Sequence, residues 1–147
     1  MANDEKLTDL LVQLKSHLDP QEFERVVVFG SSAIALHGVP LGRDIDDLDV
    51  FVSPDTFSLL AKRLPVSEKN ASEGGTIQTI KIGKIEILQS FPGVEFEPVF
   101  AAALPTASSH GFRVGSLDAL TAWKTVQGRE KDRKDLEAIE RYKAGPS

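Results

Sequence analysis

The 147-residue sequence predicts a mixed α/β domain, a short twisted sheet flanked by helices. Three observations predict it. The apolar run Val26-Val27-Val28-Phe29 is followed at once by Gly30-Ser31-Ser32 and the helical-looking Ala33 to His37, so a buried strand turns directly into a helix. Two later stretches, Asp47 to Val52 and Thr76 to Ser90, alternate with the period of a strand. Leucines recur at helical spacing near the N-terminus, and two serines farther on open apolar helical patterns.

In chain order, Asp4 to Leu18 puts Leu7, Leu10, Leu11, Leu14 and Leu18 on one stripe, the mark of a packing helix, with Asp19-Pro20 ending it. After the strand and turn, a helix from Ser32 to His37 stops at Gly38, which makes His37 a helix C-cap. Val39 to Asp46 is a loop carrying Arg43. Ser53-Pro54-Asp55 combines a cap, a proline and a first-turn acid, and opens a helix to about Leu64. Pro65 to Gly75 is polar and reads as a loop, with Glu73-Gly74-Gly75 its most pliant part. In the hairpin, Ile80 and Ile82 alternate on one arm, Gly83-Lys84 turns, and Ile85-Glu86-Ile87-Leu88 returns. Phe91 to Ser109 has no clear period. Gly111 to Val114 is a short strand, Ser116 caps a helix from Leu117 to about Gln127, and a final helix carries Asp132, Asp135, Leu136 and Ile139 on one side, before a frayed Ala144 to Ser147.

The chemistry concentrates between Val26 and Val52. In Asp47-Leu48-Asp49-Val50-Phe51-Val52, strand alternation points Asp47, Asp49 and Phe51 one way and Leu48, Val50 and Val52 the other. The two acidic α-carbons lie about 6.6 Å apart at a strand's rise, so both carboxylates can meet hard cations; a polar face turned to solvent is the plainer alternative. The Gly30-Ser31 turn frees backbone N–H groups at a helix start, a setting for phosphate or simply an N-cap. Arg43 is either a surface cation or a phosphate ligand. Glu86, flanked by aliphatics on its strand, needs water, a cation or a partner. Lys124 projects between Leu117 and Leu120 on a buried stripe, so it must snorkel out or meet negative charge.

Composition narrows the classes. A 41% hydrophobic and 27% charged chain of this length is one globular domain, and no apolar run approaches the roughly 20 residues that span a bilayer. The acidic start MANDEKLTDL does not read as a signal peptide, which sets the expectation of a cytoplasmic protein. The absence of cysteine excludes disulfides and thiolate metal sites. A net charge of -5 without a basic run argues against broad duplex DNA binding.

Together these residues resemble the nucleotidyltransferase superfamily that includes DNA polymerase beta. Its pattern is a Gly-Gly or Gly-Ser turn opening a helix, an Arg-containing loop, then an Asp-hydrophobic-Asp strand. Gly30 and Ser31 match the turn, Leu36-His37-Gly38 the helix ending, and Arg43, Asp47 and Asp49 the loop and strand. The Leu-His-Gly and Gly-Arg forms look closest to abortive-infection-type nucleotidyltransferase toxins and their relatives. The resemblance covers about Val26 to Tyr142. It implies a single nucleotidyltransferase-like domain over 1–147, with its core at about 26–142 and the packing helix at about 4–18 in front.

That resemblance implies a Mg²⁺-dependent transfer of a nucleoside monophosphate from an NTP to an acceptor hydroxyl, with release of pyrophosphate. Asp47 and Asp49 would bind two Mg²⁺ ions about 3.5–4 Å apart, with Mn²⁺ as a substitute. Glu86 aligns with the family's third carboxylate, usually Asp, as a metal ligand or base. Gly30 and Ser31 would hold phosphates, with Arg43 and Lys124 adding positive charge. Arg129 and Asp132 match the relatives' Lys…Gly-Arg…Asp pattern, and an ion pair explains them equally well. Relatives modify a tRNA 3′ end, a protein hydroxyl or a small molecule, and in a chain this short acceptor recognition would come from loops, a dimer partner or another, antitoxin-like protein. Two rivals are a nucleotide-binding module of the same fold without chemistry, which Glu86 in place of Asp favours, and a metal-dependent phosphohydrolase.

Overall fold

The computed structural model describes residues 2–70, 75–90 and 94–145. The leucine stripe becomes helix α1 (Ala2–Ser16), which buries Leu7, Leu10, Leu11 and Leu14. Asp19-Pro20 does not end this helix; it opens a second one, α2 (Pro20–Phe23). Asp19 accepts from the Glu22 backbone N–H while the Glu22 carboxylate accepts from the Asp19 N–H, a reciprocal cap that holds a single turn. Strand β1 (Val27–Phe29) is buried along its whole length and runs straight into helix α3 (Gly30–Leu36).

Strand β2 (Leu48–Phe51) follows the Arg43 loop, and Ser53 caps helix α4 (Pro54–Ala61) through the Thr56 backbone N–H. The stretch expected to be a loop contains strand β3 (Val66–Asn70), antiparallel to β4 (Thr76–Ile82). Only Lys69 of its five residues is even partly buried, so the strand has no apolar alternation for a sequence reading to find. Glu73 and Gly74 of that stretch, and the start of the Phe91 connector, lie outside the described residues. The expected hairpin forms, with β5 (Ile85–Leu88) returning after Gly83. The unread segment holds helix α5 (Phe96–Ala102) and the two-residue strand β6 (Leu104–Pro105). Strand β7 (Arg113–Val114), helix α6 (Leu117–Gln127, capped by Ser116) and helix α7 (Glu130–Ala144) complete the chain.

Among the described residues the strands form one mixed sheet in the order β3-β4-β5-β2-β1-β7-β6. Its centre sets up the site. β2 is antiparallel to β1 and parallel to β5, and the register aligns Phe29 with Asp49 and Asp49 with Glu86. Partners in register share a face, so Phe29, Asp49 and Glu86 point the same way. Val28, Val50 and Ile87 form the matching apolar row on the opposite face, all fully buried. Trp123 of α6 lies 5.4 Å from the Phe29 ring, which fixes α6 over the acidic face. The fold is therefore the predicted mixed α/β domain, and its central strands carry the acids to one edge of the apolar packing.

Candidate active site

The site starts at the end of β1. Gly30 has φ of +71°, a left-handed conformation that glycine takes without the cost of a Cβ. A Cβ here would also sit 3.1 Å from Asp49 Oδ2, so the turn presses directly on the acidic strand. Ser32 is buried, and its hydroxyl donates back to the Phe29 carbonyl at 3.1 Å, which tightens the first turn of α3. His37 caps α3 as expected, and its Nε2 donates to the Gly115 carbonyl at 2.7 Å. It ties α3 to the segment before α6.

Acids line one wall of a cleft of about 470 Å³ that Ser31, Arg43 and Lys124 also line. Asp47 is exposed at the entrance to β2, while Asp49 is mostly buried beside Glu86. Burial, and then the neighbouring Asp47 and Glu86 charges, push the Asp49 carboxyl up to about 6 from its ordinary 3.8. Glu86 Oε1 accepts from Lys69 Nζ at 3.1 Å. Among the described residues its other oxygen, Oε2, is buried with no hydrogen-bond partner. An orphaned carboxylate oxygen is costly unless a donor or cation meets it. This wall is short of positive charge.

The opposite wall is crowded with it. Lys124 is 1% exposed, and its Nζ lies 2.9 Å from Asp132 Oδ1, 3.0 Å from Asp135 Oδ2 and 3.0 Å from Ser31 Oγ. Lys124 thus takes the second of its two sequence-level options and meets negative charge rather than snorkelling out. Arg43 clamps Asp135 with both guanidinium ends, at 2.8 and 3.1 Å, and donates to Ser31 Oγ at 2.9 Å. Ser31 donates its own proton to Asp135 Oδ2 at 2.9 Å. A hydroxyl has one proton and two lone pairs, so the Ser31 side chain is fully engaged. Burial works against the charged form of Asp132, but hydrogen bonds from Arg129 and Lys124 outweigh it and hold the carboxyl below its ordinary value. Arg129 Nε meets Asp132 Oδ2 at 2.6 Å, the ion pair that the sequence left open.

All the sequence-selected side chains, Ser31, Arg43, Asp47, Asp49, Glu86 and Lys124, line this cleft, and Gly30 abuts Asp49. Sequence reasoning did not assign site roles to Asp135, Lys69 or Lys131, which also come to it or to its charged groups. The i,i+3 spacing of Asp132 and Asp135 on a buried helix face was the signal for Asp135; Lys69 had none. Among the described residues, no three carboxylates, imidazoles or thiolates are gathered into a preformed metal cage.

Neither the scan of protein-family models nor the search of curated proteins finds a match for this chain. Its fold matches that of a nucleotidyltransferase of known structure. The solved structure that supports this is of ANT(2")-Ia in complex with adenylyl-2"-tobramycin, with a TM-score of 0.54 over 92% of this chain and 91% of that one at 13% sequence identity.

Proposed function

We propose that the protein is a Mg²⁺-dependent nucleotidyltransferase that moves a nucleoside monophosphate from an NTP to an acceptor hydroxyl. The observation that carries this reading is the Asp49–Glu86 pair, in register on adjacent parallel strands, with the Asp49 carboxyl pushed up and a buried Glu86 oxygen left without a partner. The fold likeness to a structure holding an adenylylated product supports it.

The donor set fits a hard divalent cation. Asp47, Asp49 and Glu86 offer only carboxylate oxygens, and Mg²⁺ is commonly held by one or two carboxylates plus water and substrate phosphates rather than by an all-protein cage. Asp47, Asp49 and Glu86 would hold such a cation, which would supply positive charge against the triphosphate and the acceptor oxygen. The chain's own residues account for the remaining steps. Glu86 Oε2 accepts the hydroxyl proton as the acceptor oxygen bonds to the α-phosphorus and the bond to the departing pyrophosphate breaks. The backbone N–H groups at Gly30 and Ser31 hold the outer phosphates, because the Ser31 hydroxyl is already saturated. Arg43 and Lys124 lend positive charge to the leaving pyrophosphate while they stay anchored on Asp135.

The test is incubation of the purified protein with Mg²⁺ and each α-³²P-labelled NTP in a cell extract, followed by separation of RNA, protein and small molecules. Label in one fraction, lost with Asp49→Ala, is expected and names the acceptor class. Intact NTP with no labelled fraction, or label that persists in the variant, contradicts the proposal.

A further inference from the structure

Lys69 belongs to β3, the outermost strand at one end of the sheet, yet its ammonium reaches a carboxylate two strands inward. Nζ lies 3.1 Å from Glu86 Oε1, and the side chain remains 40% exposed. Glu86, 17% exposed, has no other hydrogen-bond partner among the described residues, and its Oε2 is buried and unmet by any of them. Lys69 and Lys131 are the cations whose charge bears on neighbouring Asp49, but of the two only Lys69 pairs with Glu86. The ammonium therefore supplies what a divalent cation on this wall would supply, positive charge against crowded carboxylates, and it does so on the same carboxylate that such a cation would use. Two cations at contact distance on one carboxylate repel each other, so they compete. An edge strand has a sheet neighbour on one side only, and a half-exposed lysine on it can turn to water without disturbing the central strands.

We propose that Lys69 is a positioning residue that holds Glu86 in the cation-free protein and must give way when a divalent cation binds, so that it sets the cation affinity of the site. The proposal rests on the reading of Asp47, Asp49 and Glu86 as cation ligands.

The experiment is titration of the nucleotide-free protein with Mn²⁺, read by loss of the free-ion electron paramagnetic resonance signal, with circular dichroism to verify each fold. Lys69→Met binds Mn²⁺ more tightly than wild type by about fivefold or more, the lower end of ordinary site coupling. Lys69→Arg, which keeps both charge and donor, stays near wild type. Lys131→Met removes a cation that bears on Asp49 without holding Glu86, and its gain is smaller. In a Glu86→Gln background the gain from Lys69→Met falls to the size of the gain from Lys131→Met. Equal Mn²⁺ affinity in wild type and Lys69→Met overturns the proposal and leaves the cation site standing, as does an equal gain from Lys131→Met or a gain that Glu86→Gln leaves undiminished. Absence of Mn²⁺ binding in both wild type and Lys69→Met overturns the cation site itself, and this proposal with it.

Discussion

Lys124 and Glu86 line one cleft, and each is a charged side chain that burial penalises. Lys124 has three partners, Asp132, Asp135 and Ser31, and those partners are in turn held by Arg129 and Arg43. Glu86 has one lysine from the sheet edge and an oxygen with nothing opposite it. The first is a closed network that joins α3, the Arg43 loop, α6 and α7. The second is an open one beside Asp49, whose carboxyl is already pushed up by burial and by its acidic neighbours. Saturated networks hold a fold together, whereas unsatisfied groups are held in place by the rest of the fold and are available to a ligand. On this comparison the basic wall ties elements of the fold together, and the acidic wall is the one left open, where the proposed function puts its cation.

The largest break is predicted on the basic wall. Lys124→Met leaves Asp132 and Asp135 buried without their shared cation, and loss of one partner from such a pair costs about 3–5 kcal/mol. Urea denaturation measures it; a loss below about 1 kcal/mol would put the network on the surface in energetic terms. A smaller effect is predicted where the walls' common turn meets the acids. Gly30→Ala forces a Cβ into a left-handed conformation, worth about 1–2 kcal/mol, and sets it 3.1 Å from Asp49 Oδ2. Thermal melting of the variant reads this loss, and an unchanged melting temperature would mean that the turn relaxes freely.

Much of this arrangement was legible in the sequence. The strand from Val27 into the Gly30 turn, the strand that carries Asp49, the Ile80 and Ile85 hairpin arms and the Ser53 and Ser116 caps each follow from local rules, and each formed, although Asp47 lies just before β2 rather than on it. The Lys124 anomaly was visible too, since a lysine on an apolar stripe demands a partner. Its partners were less legible. Asp135 lies 92 residues from Arg43 and 104 from Ser31, and no periodicity reports contacts at that separation. The edge strand β3 was missed because Val66-Ser67-Glu68-Lys69-Asn70 lacks an apolar face, and with it went Lys69, the cation that pairs with Glu86 among the described residues. α2 escaped because a single reciprocal cap holds a helix too short to show a period.

The division between the walls is tested most directly by Asp49→Asn, melted from pH 7.5 to pH 4 without divalent cation and titrated with Mg²⁺–NTP at pH 7.5. The Asp49 carboxyl titrates at about 6 in the folded protein against an ordinary 3.8, so the folded state takes up a proton before the unfolded chain does. Its charge therefore opposes folding above about pH 6, and that cost is relieved as the pH falls toward 3.8. Asp49→Asn is expected to melt above wild type at pH 7.5, with a gap that closes by about pH 4, and to lose Mg²⁺–NTP binding. A variant that melts below wild type at pH 7.5 and binds Mg²⁺–NTP as tightly as before would contradict that division.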